Sequence, residues 1–365
     1  MHQLIPRARL ALMLLAAGLT ACSGTQTTSP TSSTSGLDAA RLNAGVTSVG
    51  NVQAAPAWQS FRMLGPAMGS SVGPAASVAA MIATDVVAGS PADPGAAALR
   101  ARARLAWLLG GSSSSQVSLL PVIPTTVLGT TFVWDSVTAK YVADSTRRGA
   151  PANGVRYILY ALNPVTAKPV VSAEIGHADL TDEGAAIANG VGIRLVGTSG
   201  SLTFLDYALT VTGAASTAVV NVHGYLSNGT DSLAFVVDGG LQAAQGAQFT
   251  AQLEVPKSQF LARATITSNG TVTNVQEQIT VAANLVGFTA THDGDRVQAA
   301  VGVNGVPFAT ITGLAALPDI RRADGLPLTA DEAKALRGIL EMTGKTLDVF
   351  GDLLAPAGPV VRAAA

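Results

Sequence analysis

The sequence predicts an α+β fold: a large, curved, mostly antiparallel β-sheet of about ten strands, preceded by helices and followed by one amphipathic helix. Three observations lead there. Residues 125–313 alternate apolar and polar side chains with the period of two that a half-buried strand requires. Glycine-rich turn signals punctuate that stretch, with strands recurring at roughly 8–12-residue spacing. No helix-length insertion separates most of the strands, which argues against βαβ crossovers and for antiparallel pairing.

In chain order, the first element is a leader. Arg7 and Arg9 precede the apolar run Leu10 to Leu19. A membrane-spanning helix needs about 20 apolar residues, so this run is too short to span and has the form of a secretory signal. Leu19-Thr20-Ala21-Cys22, followed by Ser23, resembles the lipobox of bacterial lipoproteins, and Cys22 is the only cysteine in the chain. The resemblance implies cleavage before Cys22, acylation of its sulfur and of the new amine, and membrane attachment through lipid alone. Each buried CH2 contributes about 0.8 kcal/mol, so two or three acyl chains hold firmly where one does not. In that family an Asp after the cysteine favours the inner membrane. Ser23 implies the outer membrane of a two-membrane envelope.

Ser23 to Gly36 is a Ser/Thr tether without the apolar residues to pack. The expected organisation is a signal peptide at 1–21, lipidated Cys22 and tether at 22–36, and a helical segment at 37–124. The sheet follows at 125–317, and a C-terminal helical segment of the same domain at 318–365.

Within the helical segment, Ser77 to Val87 reads as a short apolar helix. Asp93-Pro94 resembles an N-cap with proline at the first helical position, opening a second helix that stops at Gly110-Gly111. Its Arg100, Arg102 and Arg104 spread over a wide arc and form a solvated face, or one that meets anionic lipid or phosphate.

In the sheet region, Leu233, Phe235 and Val237 alternate with smaller residues. Phe249, Ala251, Leu253 and Val255 face one way, and Thr250, Gln252 and Glu254 the other. Turns are expected at Asp135 to Lys140, Gly197 to Gly200, Asn228-Gly229, Asp238-Gly239, Asn269-Gly270, Asp293-Gly294 and Asn304-Gly305. Thr329-Ala330-Asp331-Glu332 then reads as a capping box. Leu336, Ile339, Leu340, Thr343, Leu347, Phe350 and Leu354 follow at helical spacing, up to a stop at Pro356. The order of elements over roughly residues 75–355 resembles bacterial half-barrel lipoprotein carriers, in which a sheet wraps around helices. That resemblance implies an apolar cavity, and it carries no sequence motif.

Composition narrows function. Charged residues make up 12% of the chain and the net charge is −1, so no basic footprint for nucleic acid exists. Without a second cysteine there is no intrachain disulfide, and a chain of 365 residues needs none. Aromatics at 5% argue against an aromatic-rich sugar-binding surface.

Candidate chemistry is sparse. Gly69-Ser70-Ser71-Val72-Gly73 matches the G-x-S-x-G nucleophile elbow, but no strand precedes Ser71 as that motif requires. His177 with Asp179 or Asp182 is a candidate metal pair without a second histidine at ligand spacing. His223 reads as a sheet residue. His292-Asp293-Gly294-Asp295 reads as a hairpin turn lacking the distal glutamate of a calcium loop. No Walker, dinucleotide-binding or HExxH motif occurs.

The expected function is therefore a non-catalytic, lipid-anchored envelope protein with no cofactor. It holds an apolar ligand, such as an acyl chain, between sheet and helices, or it is a structural protein that engages a protein partner. A serine hydrolase at Ser71 is the remote alternative.

Overall fold

The computed structural model describes residues 36–64, 123–184, 190–212, 219–242, 246–269, 271–354 and 356. Cys22, Ser71 and the helices expected at 77–87 and 94–109 lie outside the described residues.

Among the described residues two helices come first, α1 (Ala39–Gln53) and α2 (Pro56–Arg62). Asp38 caps α1 by accepting from Arg41 N at 3.1 Å, and Pro56 opens α2, where its missing N–H is no loss. Fifteen strands follow. They are β1 (Thr130–Asp135), β2 (Lys140–Ala143), β3 (Gly154–Leu162), β4 (Pro169–Asp182), β5 (Gly190–Ser199), β6 (Leu202–Thr212), β7 (Val219–Ser227) and β8 (Ser232–Gln242). The remainder are β9 (Gly246–Val255), β10 (Phe260–Ser268), β11 (Val272–Val281), β12 (Asn284–Asp293), β13 (Arg296–Val303), β14 (Val306–Leu314) and β15 (Leu317–Arg322). Helix α3 (Ala330–Leu354) closes the described chain.

All fifteen strands belong to one open sheet, in the order β15 down to β3, then β1, then β2. The fold is thus the expected large, mostly antiparallel sheet with a few helices, and two details differ. The first is the count: fifteen strands, not about ten, with the last ending at Arg322 beyond the expected boundary at 317. Four hairpins whose turns lie among the described residues carry none of the expected turn signals. The chain reverses with Ala167 (φ 52°), Gln259 (φ 51°) and Ala282 (φ 52°) in the left-handed region, and at Ala315-Ala316. Non-glycine residues seldom adopt positive φ, so turns built this way escape a reading based on glycine. Conversely, Asp238-Gly239 is not a turn but lies inside β8. Glycine is needed there because a Cβ on Gly239 would sit 3.2 Å from the Phe249 ring and 3.3 Å from that of Phe350.

The second difference is one parallel pair. β2 folds back antiparallel onto β1, and β3 then takes the other side of β1, with Thr130 opposite Val155. A strand that crosses its hairpin to reach the far edge must run parallel to the first strand. The connection needs no helix, so the absence of helical insertions did not exclude it.

The helices cover the apolar face of the sheet. The expected capping box forms: Thr329 N donates to Glu332 Oε2 at 2.8 Å, and Glu332 N donates to Thr329 Oγ1 at 3.2 Å. Arg322 at the end of β15 donates to Glu332 at 3.0 Å and rests over the Phe308 ring, tying the start of α3 to the sheet. Far along the helix, Phe350 meets Phe249 edge to face at 5.7 Å, and the Tyr207 hydroxyl donates to the Leu353 carbonyl at 2.8 Å. Helix α3 therefore crosses the sheet from β15 to β6. Leu336, Ile339, Leu340, Leu347, Phe350 and Leu354 are all buried, as their helical spacing predicts.

Helix α1 runs against α3 and touches the sheet closely at Gly45, where an added Cβ would lie 2.3 Å from Phe260. In α2, Arg62 pairs with Asp352 of α3 at 2.6 Å. A register shift at Leu159/Tyr160 in β3 coincides with a bond to α2: the Tyr160 N–H donates to Ser60 Oγ at 3.1 Å.

Candidate functional site

Alternation gives the sheet two unlike faces. From β8 to β14 the helix-facing side is apolar, with Phe249, Ile266, Val275, Phe288, Val301 and Ile311 among its buried residues. The opposite side is polar and almost uncharged. Its middle row, set by the pairing register, runs Thr250, Thr265, Gln276, Thr289, Ala300, Thr310. A second row is Gln252, Arg263, Gln278, Gly287, Gly302, Pro307, and a third is Gln248, Thr267, Asn274, Thr291, Gln298, Thr312. Most of these side chains are exposed.

This face is hollowed into a groove of about 960 Å3, which shares Gln276, Thr289, Ala300 and Thr310 with a neighbouring hollow of about 400 Å3. The larger volume falls at the upper end of the roughly 300–1,000 Å3 typical of ligand sites. Two charged side chains on the outward-facing rows line it, Asp238 and Arg263, and they cancel. Both are held in place. Asp238 accepts from Asn221 Nδ2 at 2.6 Å, and Arg263 Nε donates to Gln252 Oε1 at 3.0 Å. Val236 on β8, Leu285 on β12 and Pro307 on β14 add apolar side chains to the lining of the groove.

The floor holds a bare patch. Gly287 on β12 pairs with Gly302 on β13, so two neighbouring strands present backbone without a side chain. At Gly302 the glycine has a local cause, a register shift between β13 and β14. At Gly287 it has none: a Cβ there would meet nothing within 4 Å, and the backbone is in the ordinary region. Glycine inside a strand costs roughly 0.5–1 kcal/mol relative to alanine, and it often marks where another molecule approaches the backbone closely.

The residues singled out from sequence fall elsewhere. His177 and Asp179 lie two apart on β4, on one face, but Asp179 is taken up by Arg156 in a two-pronged ion pair at 2.7 Å per contact. Burial first, then Arg156, pushes the His177 pKa below its usual value, with Asp179 opposing. His177 shares its edge with the Thr198 hydroxyl at 3.1–3.2 Å. Asp182 accepts from Gly184 N at 2.7 Å in a turn. Among the described residues, no group of three or more His, Cys, Asp or Glu gathers to hold a metal.

His223 is an exposed strand residue whose Nδ1 lies 2.9 Å from Asn221 Oδ1. His292 departs from expectation: it is not in a hairpin turn but is the penultimate residue of β12, 1% exposed on the apolar face, opposite Thr273 and Val297. Period two carries it inward from Ala290, and only Asp293-Gly294-Asp295 lies at the hairpin end.

The sequence reading set Thr250, Gln252 and Glu254 on the face opposite Phe249 and stopped there. The signal it passed over was the choice of polar residue. Exposed positions ordinarily include charged residues as well as neutral polar ones, whereas here the outward positions of β9–β14 are mostly Thr, Gln and Asn. Comparison with protein-family models, with curated proteins and with solved structures finds no match to this chain.

Proposed function

We propose that this chain is a non-catalytic binding protein, held at the bacterial cell envelope by lipid on Cys22, whose working surface is the outer groove of β8–β14. The observation that carries the reading is the groove itself: about 960 Å3, with Thr and Gln side chains, one Asp and one Arg on its outward rows over a glycine floor. The expected apolar ligand between sheet and helix has less support. The described residues around Thr346 and Glu277, where α3 faces β9–β11, enclose about 10 Å3, no more than one water. The likeness to half-barrel carriers stays at the level of element order. The Leu19–Cys22 lipobox supports the anchor, and Ser23 supports the outer membrane as its address.

Two experiments test the reading. For the anchor, Cys22→Ala should abolish fatty-acid labelling and release the leader-cleaved protein from membranes. Membrane retention of that variant would remove the lipid from the account. For the groove, the single native cysteine makes introduced ones selective reporters. In cells, a cysteine at Thr289 should react with a maleimide several-fold more slowly than one at Val165, a turn residue 90% exposed. In purified protein the two should react alike. Equal rates in cells would mean that nothing occupies the groove, and the outer-face reading would fall.

A further inference from the structure

The chemistry of the groove specifies its occupant more closely than "ligand". We infer that it takes a neutral polyhydroxylated chain, an oligosaccharide, laid across strands β9–β14 with a ring face against Gly287 and Gly302. This inference rests on the outer groove being the working surface.

Charge comes first. Asp238 and Arg263 cancel, and the other outward groups are amides, hydroxyls, glycine or apolar side chains. Such a surface offers no attraction to a polyanion and no compensation for a buried ligand charge. Hydrogen-bonding capacity comes second. Each Gln or Asn offers one carbonyl acceptor and an NH2 group, and each Thr both donates and accepts. A ligand matched to that mixture carries groups that also do both, which hydroxyls do.

Spacing comes third. Neighbouring strands lie about 4.8 Å apart, so a chain crossing them meets a new row member at intervals close to one sugar residue in an extended glycan. The floor comes last. With no side chain at 287 or 302, a flat ring can reach the backbone between the Gln278 amide and Pro307. An extended peptide lacks an equivalent handle, because the main-chain groups of β9–β13 are engaged in ladders on both sides. Among the described residues no aromatic side chain reaches out of the groove floor, so the site is a hydrogen-bonding one and not an aromatic stacking platform.

The test uses the full mature protein, purified in a zwitterionic, sugar-free detergent, and three neutral probes: cellohexaose, chitohexaose and maltohexaose. Calorimetry or ligand-observed NMR should show at least one of them binding with a Kd of about 1 mM or tighter. Gly287→Trp fills open space above the floor, so it should weaken that binding at least tenfold while leaving the unfolding midpoint where it was. If the tryptophan variant folds poorly, Gln278→Ala, at an exposed position, should still weaken binding several-fold. Failure of all three probes overturns the proposal, as does undiminished binding by the folded Gly287→Trp variant or by Gln278→Ala. A protein that dimerises through the groove, and becomes monomeric on Gly287→Trp, would identify a second copy as the occupant and also overturn it. The two readings fail separately. Protection of a cysteine at 289 in cells without oligosaccharide binding leaves the working surface in place and removes the glycan. Loss of that protection removes the surface itself.

Discussion

Phe350→Ala should destabilise the protein by about 3–5 kcal/mol, the usual cost of emptying a buried phenylalanine site and a large part of a domain's total of about 5–15. Phe350 is 1% exposed, on the face of α3 that packs against the sheet. Its ring meets Phe249 at 5.7 Å and rests over Gly239, which lacks the Cβ that would hold it off. Truncation leaves a cavity that neither the glycine nor the rigid strand backbone can fill. Lys345→Ala is the matched control. Lys345 is partly exposed and pairs with Glu341 one turn away at 3.2 Å, an interaction that contributes only a few tenths of a kcal/mol. Chemical denaturation of the two variants measures the difference. Equal midpoints would mean that the α3 stripe does not hold helix and sheet together.

Removing residues 327–365 should have a larger effect still and abolish the cooperative thermal transition. The apolar face from β6 to β14 would lose Leu336, Ile339, Leu347, Phe350 and Leu353 together. The Tyr207 hydroxyl would lose its acceptor at Leu353, and Arg322 its partner Glu332. A sheet with one naked apolar face does not hold a unique structure in water. Near-ultraviolet circular dichroism on heating reads the outcome. A truncated chain with an unchanged transition would make α3 an appendage.

Periodicity made much of this legible. The alternation of Phe249, Ala251, Leu253 and Val255 correctly sorted the faces of β9, and the box at Thr329–Glu332 located the start of α3 to the residue. Both are local rules in which neighbouring side chains decide the answer. What escaped was set by φ angles or by distant partners. Ala167 and Ala282 turn hairpins without a glycine signal, and β3 chooses β1 rather than β2 as its neighbour. The groove escaped for a further reason. Its rows are assembled from six strands, and only the register places Gln278 beside Gly287 and Gly287 beside Gly302. His292 shows the same limit in miniature, since its burial follows from which strand end it occupies.

From β3 to β15 every strand pairs with its neighbour in sequence, so the sheet can zip one hairpin at a time across short loops. Such local pairing gives a low contact order and favours fast assembly for an all-β surface. Helix α3 belongs to another regime. Its bond from Tyr207 to Leu353 joins residues 146 apart, and α3 follows every strand in the chain. A nascent or translocating chain can therefore complete its hairpins while the segment that shields them has not arrived. During that interval it displays an apolar sheet face to its neighbours, the condition under which chains aggregate. The order of synthesis thus makes the C-terminus the release step for solubility, and a chain stalled before residue 330 would be the species that a holding chaperone recognises.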